Sequence, residues 1–300
     1  MHSIILPTNQ GIPFAKRLSR ISDISMGKRD LGLFSDGEIK CRLRSSVIGK
    51  NVYMVGSTHP PLDNLFELLI LAHTAKRYGA RRVIAVIPYL GYAKADKPKP
   101  KGVAVTAHLI AKLIHASGID RLITTTFHSR EVRTFFTIPV TEIDPLGFLA
   151  AKMKHGFEVS KPNVARLIVI APDRGALTRA RHLSRLMGIS KVITLKKSHP
   201  ELGKTVTSFK GSMRDSDSAI IVDDFTLTGA TVLNAVSLLK NHGIKNFIIV
   251  LNHVVPTGPA VKNLMNERSI RHIFTTNSIP QKPLQKFTIV DIAHLIAGAL

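Results

Sequence analysis

The sequence predicts an α/β fold of mainly parallel sheets flanked by helices, and three observations carry that expectation. Apolar segments of strand length alternate with helical patterns almost throughout, as βαβ units require. Two strands run into similar glycine-containing turns, Val83–Ile84–Ala85–Val86–Ile87–Pro88–Tyr89–Leu90–Gly91–Tyr92 and Leu167–Ile168–Val169–Ile170–Ala171–Pro172–Asp173–Arg174–Gly175–Ala176, one in each half of the chain. That echo is what duplication of one α/β unit leaves behind, and 300 residues suit two domains.

In chain order, strands are expected at Ser3–Leu6, Asn51–Val55, Arg82–Pro88, Arg121–Thr125, Arg166–Ala171, Lys191–Leu195, Ala219–Asp223 and Asn246–Leu251. Each is a short apolar run bounded by polar or turn residues, the pattern of strands buried on both faces. Helical spacing places Leu65, Leu68, Leu69 and Ala72 on one face, and further helices over Val105 to Ala116, Arg179 to Met187 and Thr231 to Asn241. A hinge is expected near Asp144–Pro145–Leu146–Gly147, giving domains 1–145 and 146–300, with the last ~15 residues packing back on the first domain.

Composition narrows the function classes. The longest apolar stretch, Leu65 to Ala72, is interrupted by Glu67 and is far too short to span a bilayer. The N-terminus lacks a basic start followed by an apolar core and cleavage site, so a cytoplasmic protein with no membrane partner is expected. Cys41 is the only cysteine, which excludes an internal disulfide and a thiolate zinc cluster. Forty-two basic against 20 acidic residues give a net charge of +22. The basic residues are scattered, with local clusters at Lys94–Lys101, Arg179–Arg185 and Lys196–Lys204 and no basic tail or aromatic-studded repeat. Nucleic-acid binding as the principal role is therefore not expected; small anionic substrates are, although they explain only part of the excess charge.

The most informative stretch is Ala219–Ile220–Ile221–Val222–Asp223–Asp224–Phe225–Thr226–Leu227–Thr228–Gly229–Ala230–Thr231. Four apolar residues deliver two carboxylates to the end of a buried strand, where they can accept hydrogen bonds from vicinal hydroxyls or hold a hydrated Mg²⁺. Thr226 to Thr231 then turn the chain into a helix, and a loop there can surround a phosphate with backbone N–H groups, threonine hydroxyls and the positive end of the helix dipole. The plainer alternative is a strand–turn–helix crossover in which the Asp pair caps the helix.

Two acids, three variable residues and Thr-x-x-Thr resemble the phosphoribosyl-diphosphate binding signature of the type I phosphoribosyltransferase fold. Further segments resemble one family in order and spacing, ribose-phosphate diphosphokinase. They are Phe34–Ser35–Asp36–Gly37–Glu38, Asp63–Asn64–Leu65 with Glu67–Leu68–Leu69, Ile87–Pro88–Tyr89–Leu90–Gly91–Tyr92–Ala93, Phe127–His128–Ser129, Phe135–Phe136–Thr137–Ile138–Pro139–Val140, Ala171–Pro172–Asp173–Arg174–Gly175, the Asp223–Thr231 loop, and Thr276–Asn277–Ser278–Ile279. They run over nearly the whole chain.

The resemblance implies two tandem type I phosphoribosyltransferase-like domains, the first on the ATP side and the second carrying the ribose-phosphate loop. It implies transfer of a diphosphoryl group from ATP to the anomeric hydroxyl of ribose 5-phosphate with Mg²⁺, and a homo-oligomer, a dimer or hexamer. By the same carry-over, Asp223 and Asp224 would face the ribose hydroxyls and the metal-linked diphosphate, and Thr226, Thr228, Gly229, Ala230 and Thr231 would hold the 5-phosphate. His128 and Asp173 match the metal and ATP-phosphate site, which would put the reaction in the cleft between domains. Phe34, Asp36 and Glu38 match the loop that binds adenine, and Lys94 and Asp96 the basic ATP clamp. Lys196 matches the lysine that opens a mobile catalytic loop, with the run through His199, Pro200 and Gly203 to Lys204 as a lid.

Five positions depart from the family pattern. Leu227 stands where the ribose loop normally carries a third acid, and leucine can neither accept a hydroxyl hydrogen bond nor take a proton. Lys94 and Ala95 replace Arg-Gln, giving up a planar bidentate donor; Thr126 replaces an acid two residues before His128, and Ser198 replaces an arginine near Lys196. A working diphosphokinase is the first expectation. A non-catalytic regulatory subunit is the alternative, and a phosphoribosyltransferase that consumes phosphoribosyl diphosphate a third.

Overall fold

A computed structural model of the protein describes residues 2–98, 100–160, 166–198, 206–209, 212–255 and 260–300. The chain forms two compact units: Met1–Asp144 with Ser278–Pro280 and Ile292–Leu300, and Pro145–Asn277 with Gln281–Asp291.

The first unit contains β1 (Ser3–Pro7), α1 (Ile12–Ser22), β2 (Arg29–Leu33), β3 (Ile39–Leu43), β4 (Asn51–Val55), α2 (Asp63–Arg77), β5 (Arg82–Ile87), α3 (Thr106–Ala116), β6 (Arg121–Thr125), α4 (Arg130–Thr134) and β7 (Val140–Ile143). Strands β1-β4-β5-β6-β7 form a parallel five-stranded sheet in that order. Alternate residues serve opposite cores: Leu6, Met54, Ala85 and Leu122 pack with Leu68, Leu71 and Ile114, while Ile5, Val55, Val86 and Ile123 pack with Phe14 and Leu18. Burial on both faces is why these strands read as unbroken apolar runs. Strands β2 and β3 form a separate antiparallel hairpin, closed by a turn in which Gly37 takes φ +93°, where a Cβ would be strained.

The second unit contains α5 (Leu146–Ser160), β8 (Leu167–Ala171), α6 (Leu177–Met187), β9 (Val192–Ser198), β10 (Val206–Phe209), β11 (Ser218–Thr226), α7 (Ala230–Lys240), β12 (Asn246–Val254), α8 (Ala260–Asn266), β13 (Ile270–Thr276) and β14 (Phe287–Val290). Its sheet runs β10-β9-β8-β11-β12-β13-β14, with β10 alone antiparallel to its neighbour. The two-core logic repeats: Val169, Ile220, Val222 and Val250 face Leu149, Met153, Ala180 and Leu183, and Ile170, Ile221, Ile249 and Leu251 face Val232, Val236 and Leu264. From β8 the chain moves one way along this sheet, to β9, while from β11 it moves the other way, to β12 and β13. The β8–β11 boundary is therefore a topological switch point, where open α/β sheets bind ligands beyond the strand C-termini.

The first unit is completed by α9 (Ala293–Ala297). There Ile292, Ala293 and Ile296 join Phe14 and Leu18 in the core, and Arg121 Nη2 donates to Ala299 O at 3.0 Å. No helix among the described residues is long and apolar enough to cross a membrane.

Candidate active site

In the second unit, Asp173 follows β8 and Asp223 and Asp224 lie near the C-terminal end of β11, so three carboxylates flank the switch point. Their environment is unusual for acids. Asp224 is buried and Asp223 half-buried. Asp223 Oδ1 accepts the backbone N–H of Asp224 at 2.9 Å, and Asp224 Oδ1 that of Phe225 at 2.9 Å. Burial pushes the Asp223 carboxyl up to about 8, helped by the Asp224 charge and its hydrogen bond and then by the Asp173 charge. A group so placed keeps its proton near neutral pH until a cation or hydroxyl donors arrive. Asp173 also shapes its own turn, accepting the N–H of Ala176 at 3.2 Å just before α6.

The loop after the pair is tightly specified. The buried Thr226 Oγ1 accepts the N–H of Gly229 at 3.0 Å, and Thr228 Oγ1 accepts that of Ala230 at 3.3 Å. Asn263 Nδ2 on α8 donates to Thr228 O at 3.3 Å. Gly229 sits at φ +78°, the left-handed region glycine enters without steric cost, and starts the eleven-residue α7. This corrects the helix-cap alternative. The N-cap of α7 is Gly229, which makes no side-chain cap, and the Asp oxygens bond within their own strand. Leu227 is 40% exposed in this loop, an apolar side chain facing solvent three residues after the Asp pair.

Lys196 lies inside β9, two residues before its end, rather than at the opening of a loop; it is exposed and paired in register with Ser208 of β10. The proposed lid residues His199, Pro200, Gly203 and Lys204 lie outside the described residues.

In the first unit, Lys94 and Asp96 lie on the segment after β5, and His128 follows β6. The buried Asp96 Oδ2 accepts a short hydrogen bond from Ser129 Oγ, which ties the segment after β5 to the one bearing the exposed His128. Phe34, Asp36 and Glu38 lie instead at the tip of the β2–β3 hairpin. The turn is closed by Phe34 N–H to Glu38 O at 2.7 Å and Glu38 N–H to Asp36 Oδ1 at 3.0 Å. Phe34 is 54% exposed, with Lys40 Nζ 5.8 Å from its ring centroid.

Two supporting residues escaped the sequence reading. Ser129 was visible only as part of a motif, and nothing in its spacing announces a bond to Asp96. Glu142 on β7 accepts the N–H of Phe127 at 2.9 Å, and so places a carboxylate beside the segment in which Thr126 replaces the expected acid. Thr126 Oγ1 itself is buried without a hydrogen-bond partner. Only the parallel register of Thr124 with Glu142 brings that acid near.

Among the described residues no three His, Cys, Asp or Glu side chains converge to cage a metal by themselves.

Family comparisons agree with the architecture. Residues 3–118 match the model for the N-terminal domain of ribose phosphate pyrophosphokinase, and residues 153–276 the phosphoribosyl transferase domain. A ribose-phosphate pyrophosphokinase of Helicobacter hepaticus is 34% identical over 96% of this chain and 91% of its own length. One from Clostridium perfringens is 33% identical over 99% and 92%. The crystal structure of phosphoribosylpyrophosphate synthetase from Mycobacterium smegmatis superposes with a TM-score of 0.88 at 25% identity, covering 99% of this chain and 97% of that one.

Proposed function

The chain belongs to the ribose-phosphate pyrophosphokinase family, and from that premise we infer that it transfers the diphosphoryl group of ATP to the anomeric hydroxyl of ribose 5-phosphate, giving phosphoribosyl diphosphate and AMP. The observation that carries the assignment of residues is the Asp223–Asp224 pair at the switch point, held partly protonated by burial and by mutual and Asp173 repulsion, and followed by the Thr226–Thr231 turn into α7.

The sugar hydroxyl oxygen forms a bond to the β-phosphorus of ATP and gives up its proton to solvent, the bond from that phosphorus to the α–β bridging oxygen breaks, and AMP departs with that oxygen and its charge. Such transfers depend on positioning and charge neutralisation rather than on a covalent nucleophile. In this chain Thr226, Thr228, Gly229, Ala230 and Thr231 hold the 5-phosphate, through backbone N–H groups at the positive end of α7 and the threonine hydroxyls. Asp223 and Asp224 accept the ribose hydroxyls. On the ATP side, Phe34 stacks on the adenine while Asp36 and Glu38 accept from its amino group, and Lys94 and His128 meet the phosphates, with Asp96 and Ser129 fixing the segments that bear them. Lys196 supplies positive charge to the transferring group.

The cofactor we assign is Mg²⁺. Asp173 would contribute to its site in the second unit, and His128 to the metal–phosphate site in the first. When bound, Mg²⁺ neutralises phosphate oxygens and lowers the barrier to attack. The concentration of carboxylates at the switch point, with Asp223 driven to keep a proton, is the local charge imbalance that a divalent cation relieves. A homo-oligomer and a cytoplasmic location complete the proposal.

Incubation with ATP, Mg²⁺ and ribose 5-phosphate, followed by chromatography of AMP, tests the reading. Sugar-dependent AMP formation supports it, AMP formed equally without sugar points to hydrolysis, and no AMP at all favours a non-catalytic subunit, the alternative to which the exposed Leu227 and the orphaned Thr126 hydroxyl lend weight.

A further inference from the structure

A cleft of about 360 Å³ opens in the second unit where α5 crosses β12, β13 and β14. Its floor is apolar, formed by Ile248 and the nearly buried Phe274 ring. Its rim is basic: Lys152 on α5 and Arg271 on β13 carry permanent positive charge, His155 and His272 stand beside them, and none of the described residues lining it is acidic.

Two local features hold this space open. Gly156 lies inside α5, where glycine is a poor helix former compared with alanine. Its missing side chain leaves room over the aromatic floor, since a Cβ built there would stand 3.9 Å from Phe274 Cζ. The second feature is an irregularity in β13. Phe247 pairs with Ile270 but Ile248 pairs with His272, so Arg271 is an extra residue in the ladder. Bulges of this kind re-aim side chains. Arg271 is steadied by its Nε bond to Asn246 Oδ1 at 2.8 Å. His272 is fixed by Thr288 Oγ1 at 2.6 Å and by its ring contact with Phe274, centroids 4.6 Å apart. Burial lowers the His272 imidazole below its ordinary range, so at neutral pH it offers a polar, uncharged edge.

The cleft is distinct from the sugar-phosphate loop. Ile248 pairs with Ile220, three residues before Asp223 on β11. The loop lies beyond the strand C-termini, whereas Arg271, His272 and Ile248 sit near the beginnings of their strands. An apolar slot closed by an aromatic floor accepts a planar ring, and two permanent cations match a dianion better than a monoanion.

We propose that this cleft is a second binding site of the protein, which takes a small aromatic phosphate monoester with its ring over Phe274 beneath Gly156 and its phosphate between Lys152 and Arg271.

Phenyl phosphate is the probe, titrated calorimetrically into the full chain in the presence of saturating ribose 5-phosphate. Saturable binding is expected, at least about tenfold tighter than that of phenol or inorganic phosphate, because each supplies only half of the interaction. Arg271→Gln should weaken it about tenfold, the loss of one charge-assisted contact. Gly156→Leu should abolish it by filling the slot, while AMP formation from ATP and ribose 5-phosphate stays within about twofold of the parent, since neither position belongs to the catalytic set. Failure of phenyl phosphate to saturate, its displacement by ribose 5-phosphate, or unchanged affinity in Arg271→Gln would overturn the proposal. The Arg271 variant, a surface change, decides the matter even if Gly156→Leu does not fold.

Discussion

Asp223 Oδ1 accepts the backbone N–H of its neighbour Asp224 at 2.9 Å, so two adjacent carboxylates share one strand end, and the first of them is pushed up to about 8. The folded protein binds a proton there that the unfolded chain, with an ordinary Asp near 3.8, releases. Stability from this group is fully present below the unfolded value and is lost as pH rises through the folded one. Metal-free protein should therefore melt at progressively lower temperature between about pH 4 and pH 8, and Asp223→Asn should flatten that slope and raise the melting temperature at pH 8 by a few degrees. Parallel melting curves of the two proteins across this range would contradict the assignment.

Mg²⁺ together with ribose 5-phosphate should expel that proton, because ligation and hydroxyl bonding both favour the ionised form. Titration of both into the protein in weakly buffered solution at pH 7 should release up to one proton per chain, and none in Asp223→Asn. Equal release from both proteins would place the titrating group elsewhere.

Gly229→Ala should destabilise the second unit by about 1–2 kcal/mol, since φ +78° forces a Cβ against the following carbonyl. It should also raise KM for ribose 5-phosphate by displacing the loop N–H groups at the start of α7. Denaturant melts and steady-state kinetics report the two effects separately.

The fold class was legible because burial on both faces leaves unbroken apolar runs such as Ile220–Val222 and Leu167–Ala171. What escaped was amphipathic or short. Strands β2 and β3 mix charged and apolar residues and pair only with each other, β10 has four residues, and β13 interleaves Arg271 and His272 with apolar positions. At the candidate site, the Asp pair and the Thr-rich turn announce themselves because the chemistry is contiguous in sequence. Ser129 with Asp96, and Glu142 with Phe127, are joined only by folding across 33 and 15 residues, and no local pattern encodes such pairs.

Phe34→Ala should raise KM for ATP about tenfold, the loss of one stacking face. Because Phe34 is mostly exposed at the hairpin tip, the melting temperature should stay within about a degree. A matching fall in stability would make the ring a structural element instead.

Leu227→Asp should preserve or raise the rate of AMP formation, since the exposed side chain stands where an acid could accept a ribose hydroxyl. Loss of activity in this variant would show that leucine there is not a missing carboxylate.

The most direct measurement is calorimetric titration of ribose 5-phosphate into the parent protein and into Asp224→Ala, with circular dichroism to confirm folding. The expected result is a folded variant whose affinity for the sugar phosphate falls at least about tenfold and which forms no AMP from ATP. A folded Asp224→Ala that binds ribose 5-phosphate as tightly as the parent and still produces AMP would contradict the account.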